Sequence, residues 1–595
     1  MLLITCEDIG PQIGAYGDKY ANTPNLDRLA SRGIIYKTAW SNAPVCAPAR
    51  TTIISGLYPP STGAEHMRSM TRLPSSMKMF PCYLRDAGYY ASNNAKEDYN
   101  LEHTGQVWDD SSNKGHWRNR KSGQPFFSVF NLLITHESQI RTRPHKWVHD
   151  PAKAPLPAYH PDTPEVRQDW AQYYDNITTM DGQAGQLLRQ LEQDGLADDT
   201  IVFFYGDHGS GMPRSKRWPY NSGLQVPLIV YIPEKYKHLA LKDYKPGGTS
   251  ERLVSFVDLA PTLCSLIGVK PPEQFQGYAF LGEFPATEQP YIYGFRGRMD
   301  ERYDLVRSVR DKRYIYIRNY MPHRIYGQYI AYMFETPTTR VWRDLYDRGK
   351  LKPPRTYFWE TKPSEELYDL EQDRDEVHNL AKSAAHQEIL ARMRQAQQNL
   401  ALQIRDVGFL PENEIHSRAK GSSPYEAGHD PARYPFERVL HTADLASSMK
   451  PDASGELATA LRDPDSAVRY WGAVGIVIRG TAAVQAASSP LRTALGDKAP
   501  AVRIAAAEAL GRYGSDEDVA KALSVLMELA PPDKNGIYVS LLALNALDAL
   551  GPKAMPVKDA IRALPREDPN APGRMAAYAG NLIGKMLADL DKPKG

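Results

Sequence analysis

The sequence has few cysteines, no long apolar run and almost no net charge, and each of these features excludes a class of protein. Its 595 residues include only four cysteines, too few and too dispersed for a disulfide scaffold and not spaced as a structural zinc site. No apolar run approaches the ~18 residues that span a bilayer. With 72 Lys and Arg against 70 Asp and Glu, global charge does not favour nucleic acid as a partner. What remains is typical of a globular protein of several domains, because one core stops growing at roughly 250 to 300 residues.

Short apolar runs of strand length alternate with amphipathic runs of helical length in the first half of the chain. This alternation predicts an α/β domain over residues 1–289, with a large mixed sheet sandwiched by helices. The strand-like runs are 2–5, 126–133, 201–205 and 227–232, and the clearest helical runs are 23–32 and 174–193.

Polar residues come directly after three of these predicted strands. In open α/β sheets, ligands bind beyond the carboxyl ends of the strands, so residues at those ends are candidates for a functional site. They are Glu7 and Asp8 after the first strand, His136 after the second, and Asp207 and His208 after the third.

A second unit is predicted over residues 290–405. Three strand-like runs, then a turn-rich stretch at 367–373 and a helix over 383–402, indicate a small antiparallel sheet with a terminal helix. Residues 406–436 are rich in Pro, Gly, Glu and Arg without periodicity, which is typical of a linker or a strapping segment. The strand-like runs are 291–295, 305–309 and 314–318.

From residue 437 to 595 the composition shifts to Ala and Leu, and an internal repeat begins. The run Asp463-Pro-Asp-Ser-Ala-Val-Arg469 recurs in related form as Asp497-Lys-Ala-Pro-Ala-Val-Arg503. A period of this size with paired helical patterns predicts an all-α solenoid of the HEAT type, in which each helix pair buries its apolar face against its neighbours.

Cys46 lies in the motif Cys46-Ala-Pro48-Ala-Arg50, which is followed by a helix-forming run and Gly56. This segment resembles the signature of type I, formylglycine-dependent sulfatases of the alkaline phosphatase superfamily, in which a maturation enzyme reads the Cys, Pro and Arg. That family usually continues with Thr-Gly-Arg, where this chain has Ser55-Gly56-Leu57. The chain is similar to bacterial polysaccharide sulfatases and heparan N-sulfatase-like enzymes over roughly its first 400 residues. Further family motifs stand in order at 7–8, 23–29, 96, 206–209, 216–223, 226–228, 258–263 and 366–370.

The resemblance implies a nucleophile and a metal site. It implies that Cys46 is oxidised to formylglycine (3-oxoalanine), whose hydrate attacks sulfur with one hydroxyl and releases sulfate through the other. It also implies a hard divalent cation, Ca²⁺ with Mg²⁺ as the alternative, on residue 46 and four further ligands. Those ligands are Glu7, where the family usually has Asp, then Asp8, Asp207 and His208, the last standing where the family often has Asn.

The resemblance also implies the cationic groups and the acid. Arg50, Lys96 and Lys216 match cations around the hydrate and the sulfate, and His136 matches the histidine that protonates the leaving group. Asp98 stands where many members carry a histidine, so which group acts as the base in sulfate release is open.

Arginine and aromatic residues are mixed in several segments, as suits an acidic glycan. Guanidinium groups bind carboxylates and sulfates, and rings stack on sugar faces. We predict substrate contacts for Asp98, Arg214, Arg217, Trp218, Arg296, His323 and Arg324.

These observations predict a sulfatase that hydrolyses sulfate esters of a sulfated polysaccharide or oligosaccharide. The alternatives are a sulfamidase acting on N-sulfoglucosamine of heparan, a formylglycine phosphodiesterase or phosphonate hydrolase, and an inactive glycan-binding protein. The expected partners are the sulfated carbohydrate and the maturation enzyme, with no nucleic acid and no membrane span. The solenoid could form the interface of a homo-oligomer. From the function we expect a periplasmic or secreted protein whose leader is not in the sequence.

Overall fold

A computed structural model of the protein describes residues 1–102, 105–242 and 244–592. Strands from the first half of the chain form one large mixed sheet. Their bounds are β1 Leu2–Cys6, β2 Ile34–Trp40, β3 Tyr90–Asn94, β4 Asp110–Ser111, β5 Phe126–Leu132, β6 Val202–Gly206, β7 Gln225–Val226, β8 Leu228–Tyr231 and β9 Gly248–Ser255. Their order across the sheet is β4-β3-β5-β1-β6-β8-β2-β7, with β9 paired to β2. The five strands from β4 to β6 in this order are parallel to one another, while β8 is antiparallel to both β6 and β2.

Helices cover both faces of this sheet, which explains why its central strands β1 and β6 are buried along their whole length. In β1, Leu2 and Ile4 pack into one hydrophobic core, and Leu3 packs into the core on the opposite face. The side chains of a strand alternate between its faces, so one short strand contributes to both cores. The helices of this domain are α1 Pro24–Arg32, α2 Cys46–Ser55, α3 Pro81–Asp86, α4 Glu137–Ile140, α5 Pro164–Gln193, α6 Asn221–Leu224 and α7 Leu259–Leu266.

The second unit is an antiparallel four-stranded sheet, as predicted, with one correction. Residues 365–369 form its fourth strand, although most of that stretch was expected to be a turn. Leu367 is fully buried and packs with Leu390 and Met393 of the terminal helix, so burial determines the conformation there. The elements are β10 Ile292–Arg296, β11 Val306–Arg310, β12 Tyr314–Asn319, β13 Glu365–Asp369, α8 Ala331–Phe334, α9 Pro337–Asp347 and α10 Gln387–Ile404.

Residues 406–436 form a packed strap with two short helices, α11 Glu412–Arg418 and α12 Pro424–Gly428. Glu412 accepts two hydrogen bonds from the guanidinium of Arg298, at 2.6 and 2.8 Å, and one from the Tyr303 hydroxyl at 2.7 Å. Burial alone would raise the pKa of Glu412, but the charge of Arg298 lowers it to about 2. The strap is therefore tied to the small-sheet unit by buried ionic contacts.

The remaining helices stack in succession as the predicted all-α solenoid. The repeated Asp and Arg of the sequence motif join consecutive repeats, since Arg469 donates to both carboxylate oxygens of Asp497 at 2.7 and 2.9 Å. The helices are α13 Phe436–Ser447, α14 Ser454–Ala460, α15 Ser466–Arg479, α16 Thr481–Ala486, α17 Ser488–Ala494, α18 Pro500–Tyr513, α19 Asp516–Leu529, α20 Pro532–Asn535, α21 Ile537–Leu550, α22 Lys558–Arg562 and α23 Ala577–Leu590.

The helical domain shares one hydrophobic cluster with the strap and with loops of the small sheet. Tyr303, Leu305 and Tyr320 of the small-sheet unit belong to the same cluster as Phe409 of the strap and Trp471 of α15. The three regions are therefore packed into one body. Within the described part of the chain, no helix is both long enough and apolar enough to cross a bilayer.

We expect Glu412→Ala to lower the thermal unfolding midpoint strongly. The substitution leaves the fully buried guanidinium of Arg298 without its carboxylate, and breaking a buried ion pair on one side costs about 3 to 5 kcal/mol. Glu517→Ala is the matched control, because it removes an exposed partner of Lys521 on the surface of α19, where such pairs contribute at most about 1 kcal/mol. Equal unfolding midpoints for the two variants would contradict the conclusion that the buried Arg298–Glu412 ion pair stabilises the fold.

Candidate active site

The topology brings two acidic pairs together at one edge of the large sheet. Strands β1 and β6 are parallel neighbours with Cys6 opposite Gly206, so the residues after both strands emerge side by side. The backbone N–H of Asp8 donates to Asp207 Oδ1 at 3.0 Å. Glu7, Asp8, Asp207 and His208 are all buried. The strand-end residues predicted from the sequence thus form a single cluster.

Cys46 is the first residue of α2, and Arg50 lies one turn further along the same helix. Arg50 donates to Glu7 Oε1 at 2.8 Å, to Asp207 Oδ2 at 3.2 Å and to Asn131 Oδ1 at 2.6 Å. Helix α2 therefore places Cys46 at its amino end, where the unpaired backbone N–H groups favour negative charge. The Cys46 thiol lies close enough to Arg50 and Lys216 to interact electrostatically with both.

Two lysines neutralise the acidic cluster. Lys96 Nζ lies 2.5 and 2.7 Å from the two carboxylate oxygens of Glu7, and Lys216 Nζ lies 2.6 Å from Asp8 Oδ2. Burial would raise the pKa of Glu7, but the charges of Lys96 and Arg50 outweigh it and hold that pKa below its ordinary value. Burial would lower the pKa of Lys216, but Asp8 and Glu137 raise it, so this ammonium stays protonated.

The acidic cluster fits a divalent cation. Donor atoms of Asp8, Asp207 and His208 lie within 4.8 Å of one another, and so do those of Glu7, Asp8 and His136. His208 Nδ1 lies 2.9 Å from the Gly209 carbonyl, which can only accept, so in the neutral ring Nε2 carries a lone pair. That Nε2 lies 2.9 Å from Asp8 Oδ1, and neither atom has a hydrogen-bond partner among the described residues. A cation between two such electron-rich atoms removes their repulsion, and carboxylate-rich sites suit Ca²⁺ and Mg²⁺.

His136 caps the amino end of α4 beside this cluster. Its Nδ1 lies 2.9 Å from the Ser138 hydroxyl, so Nε2 is the ring nitrogen that can reach a substrate. Burial, and then the charge of Lys216, lowers the pKa of His136 to about 4. Its ring centroid lies 6.1 Å from that of Tyr332, a partly exposed residue of α8 that sequence reasoning missed.

Four of the residues predicted to contact sugar, Arg214, Arg217, Trp218 and Arg296, are buried beside the site. Arg217 is 3% exposed and binds Glu137 at 2.8 and 2.9 Å and Asp300 at 2.7 Å. Since Glu137 also lies 3.2 Å from Lys216, Arg217 holds Glu137 in place beside this lysine. The Nε and both terminal nitrogens of Arg217 are bound to these two carboxylates, so this side chain holds the acidic groups in place.

The other three buried residues, Arg214, Trp218 and Arg296, take part in contacts between guanidinium groups and aromatic rings. The guanidinium of Arg214 lies 4.1 Å from the Tyr159 ring centroid and 3.9 Å from that of Tyr220. The guanidinium of Arg296 lies 4.7 Å from the ring of Trp218, whose Nε1 donates to the Tyr326 carbonyl at 3.2 Å. Stacking between arginine and aromatic rings stabilises these buried charges.

His323 and Arg324, which were predicted to contact substrate, lie outside the cluster around Cys46. They line a cavity of about 560 Å³ between the small sheet and the helical domain. Arg324 binds Glu508 of α18 at 2.6 Å, so it serves the contact between domains. The cavity and the cluster around Cys46 share no lining residue among those described.

Asp98 lies close to the site, and the residues that pair with it, Arg68 and Arg574, were not identified from the sequence. It lies 3.4 Å from Lys96, pairs with Arg68 and is 3.0 Å from Arg574 of the helical domain. Asn131 and Glu137, which position Arg50 and Lys216, were missed as well. Asn131 alone gave a usable signal, because it is a polar residue inside a run that otherwise reads as a buried strand.

Comparison with protein families places this site in context. The family model described as Sulfatase matches residues 1–113 and 90–269, and the model described as HEAT repeats matches residues 454–547. The first match covers the cysteine motif and both acidic pairs, and the second covers most of the helical stack.

Individual proteins resemble the chain over well more than half of its length. An ulvan-active sulfatase of Formosa agariphila is 39% identical over 482 residues, which cover 72% of this chain and 79% of that protein. The human N-sulphoglucosamine sulphohydrolase is 25% identical over 66% of this chain and 88% of its own length. The solved phosphonate monoester hydrolase of Agrobacterium radiobacter superposes with a TM-score of 0.52 at 16% identity, covering 69% of this chain and 97% of its own, which shows a shared fold.

We expect Ca²⁺ or Mg²⁺ to raise the thermal unfolding midpoint of protein stripped with a chelator. A ligand that binds only the folded state stabilises it by about 2.7 kcal/mol at one hundred times its dissociation constant. Asp8→Asn keeps the shape of the side chain but removes a buried carboxylate of the cluster, and it should lose most of this rise. Asp199→Asn, at an exposed pair with Lys235, should respond as the wild type does. An equal rise of the unfolding midpoint in all three proteins would show that the ion binds outside this cluster.

Proposed function

The chain belongs to the sulfatase family and is a sulfuric ester hydrolase, and from this premise we propose that it removes sulfate from a sulfated polysaccharide or oligosaccharide. The observation that carries the proposal is the cluster of Cys46, Arg50, Lys96, His136 and Lys216 around one acidic pocket. The substrate class is supported by the relative from Formosa agariphila, which is an ulvan-active sulfatase.

Residue 46 would act as the nucleophile after oxidation to an aldehyde. Hydrated, that aldehyde supplies one hydroxyl to attack sulfur and a second through which sulfate leaves, which a serine cannot offer. The position at the amino end of α2, beside Arg50 and Lys216, favours the negative charge that develops on an attacking oxygen.

Glu7, Asp8, Asp207 and His208 would hold the divalent cation, which supplies charge stabilisation to a sulfate oxygen and lowers the pKa of a hydroxyl beside it. The charge balance of the pocket supports this assignment. The carboxylates of Glu7, Asp8 and Asp207 are matched one for one by Arg50, Lys96 and Lys216. A divalent cation would therefore give the pocket a net positive charge, which favours binding of an anionic sulfate ester.

The two lysines bind and orient the sulfate, and Arg50 fixes the carboxylates beside them. Lys96 and Lys216 each donate to a carboxylate through part of their ammonium group, and a lysine has three N–H donors. The remaining donors can bind sulfate oxygens. Arg50 is buried against three acceptors, so its function is to fix Glu7 and Asp207.

His136 would protonate the oxygen of the departing sugar. Without substrate its ring is neutral at physiological pH, because burial and Lys216 lower its pKa to about 4. A bound anionic sulfate offsets the charge of Lys216 and raises that pKa toward the range useful for a general acid.

Tyr332 and Arg141 provide a surface for the sugar next to His136. The Arg141 guanidinium lies 4.5 Å from the centroid of the Tyr332 ring, and Tyr332 is 36% exposed. An exposed ring beside the general acid can stack on a pyranose face.

We expect Cys46→Ala to abolish sulfate release while leaving glycan binding intact, because it removes the nucleophile and no charge. Mass spectrometry of the peptide containing residue 46 should show the aldehyde in active wild-type protein. Sulfate release should be measured on ulvan oligosaccharides and N-sulfated glucosamine, with phosphonate monoesters tested in parallel.

Cys82→Ala is the matched control, because Cys82 lies on α3 outside the cluster and its loss should leave turnover unchanged. An unmodified thiol at residue 46 in fully active protein would refute the proposed nucleophile. Faster turnover of N-sulfated glucosamine or of phosphonates than of ulvan oligosaccharides would refute the proposed substrate class.

We expect His136→Ala to lower kcat for sugar sulfates by about 10² to 10⁴, the usual contribution of a general acid. An aryl sulfate with an acidic phenol needs no proton on its leaving group, so kcat for that substrate should change far less. His378→Ala, at an exposed histidine, is the control. An equal loss on both substrates would assign His136 to binding and not to proton transfer.

A further inference from the structure

A second cationic cluster lies at the edge of the pocket, around Asp98. Asp98 is two residues beyond Lys96, and its side chain is 4% exposed. Three cationic groups approach its carboxylate: Lys96 at 3.4 Å, Arg574 at 3.0 Å, and Arg68 in direct contact.

Asp98 is shared by all three cations. Lys96 is also paired with Glu7, whereas both arginines contact Asp98. Arg574 is the accessible one, since its side chain is 69% exposed, against 14% for Arg68 and 16% for Lys96.

Arg574 comes from the helical domain, and the structure holds its segment firmly. The flanking residue Met575 is fully buried, and the hydroxyl of Tyr578 donates to Asp300 Oδ1 at 3.1 Å. Asp300 in turn binds Arg217, which supports Lys216 through Glu137. The segment thus touches the supports of both catalytic lysines.

We propose that Arg574 of the helical domain completes the active site, where with Arg68 it forms a subsite for a second anionic group on the glycan. The inference rests on the proposed glycan substrate. The group is a carboxylate or a further sulfate of the sugar, since a guanidinium binds either with two parallel hydrogen bonds. Asp98 holds both arginines in place, and Arg574 retains N–H groups directed to solvent that can bind the anion.

A purely structural role explains this arrangement less well. An ion pair with one partner as exposed as Arg574 contributes little to stability. The domain contact is already secured by the hydrophobic cluster that contains Trp471 and Tyr303. The exposed guanidinium is therefore better explained by the pocket that it borders.

Arg574→Ala tests the proposal in the full-length, matured enzyme. For sulfated oligosaccharides that contain uronic acid we expect KM to rise about tenfold or more, which corresponds to a loss of 1.4 kcal/mol in binding. For a small aryl sulfate, which has no second anionic group, kcat and KM should stay at wild-type values. Arg574→Lys should restore part of the affinity, and Arg566→Ala, an exposed arginine of the same domain, should behave as the wild type.

Carboxyl-reduced oligosaccharides distinguish the two sources of the anion. If the carboxylate is bound, wild type and Arg574→Ala should have the same KM for the reduced substrate; if a sulfate is bound, the difference should persist. Unchanged KM for every oligosaccharide, or an equal loss on the aryl sulfate, would overturn the proposal. A wild-type enzyme that cleaves the aryl sulfate but no glycan would refute the proposed function itself.

Discussion

The structure depends on one electrostatic constraint, which is that three carboxylates are buried at the carboxyl ends of adjacent strands. Glu7, Asp8 and Asp207 cannot remain ionised in the interior unless each has a cation beside it, because removing a charge from water costs several kcal/mol. Arg50, Lys96 and Lys216 meet that need from three separate segments of the chain. The pairing therefore fixes where α2 and two long loops lie. The groups that would bind sulfate are held in place by the same charges that keep the site folded.

The residues at the strand ends could be predicted from the sequence, because parallel strands that are neighbours in a sheet all end at the same edge. Once β1, β5 and β6 are recognised as neighbours, Asp8, His136 and Asp207 must emerge at one edge of the sheet. The fold class followed from the same apolar pattern and is confirmed. Cys46, Lys96 and Lys216 are different, since only the family resemblance singled them out. Their positions depend on loops that no periodicity describes.

Two physical causes account for what the sequence did not reveal about the site. A mixture of arginine and aromatic residues suits a glycan surface, but it equally suits a buried guanidinium stacked on rings, as Arg214 and Arg296 are. Composition alone does not tell which way such a segment faces. Arg574 was missed for another reason, because it is 476 residues from Asp98 in sequence. A contact of that separation is set by how whole domains pack, which no local pattern encodes.

The packing of the helical domain bears on how such an enzyme can change its substrate. The domain shares a hydrophobic cluster with the strap and the small sheet, so its removal would expose apolar surface on the catalytic half. It is also rigid at the point where it reaches the pocket, since Met575 and Tyr578 anchor the turn that carries Arg574. The charge network around Asp8 tolerates little substitution, because the loss of one member leaves its partner as an unpaired charge in the interior. Arg574 is an exposed side chain on a firmly docked domain, so its replacement leaves no unpaired charge in the interior. Substitutions at Arg574 can therefore alter which glycan is bound without disturbing the groups that cleave the sulfate.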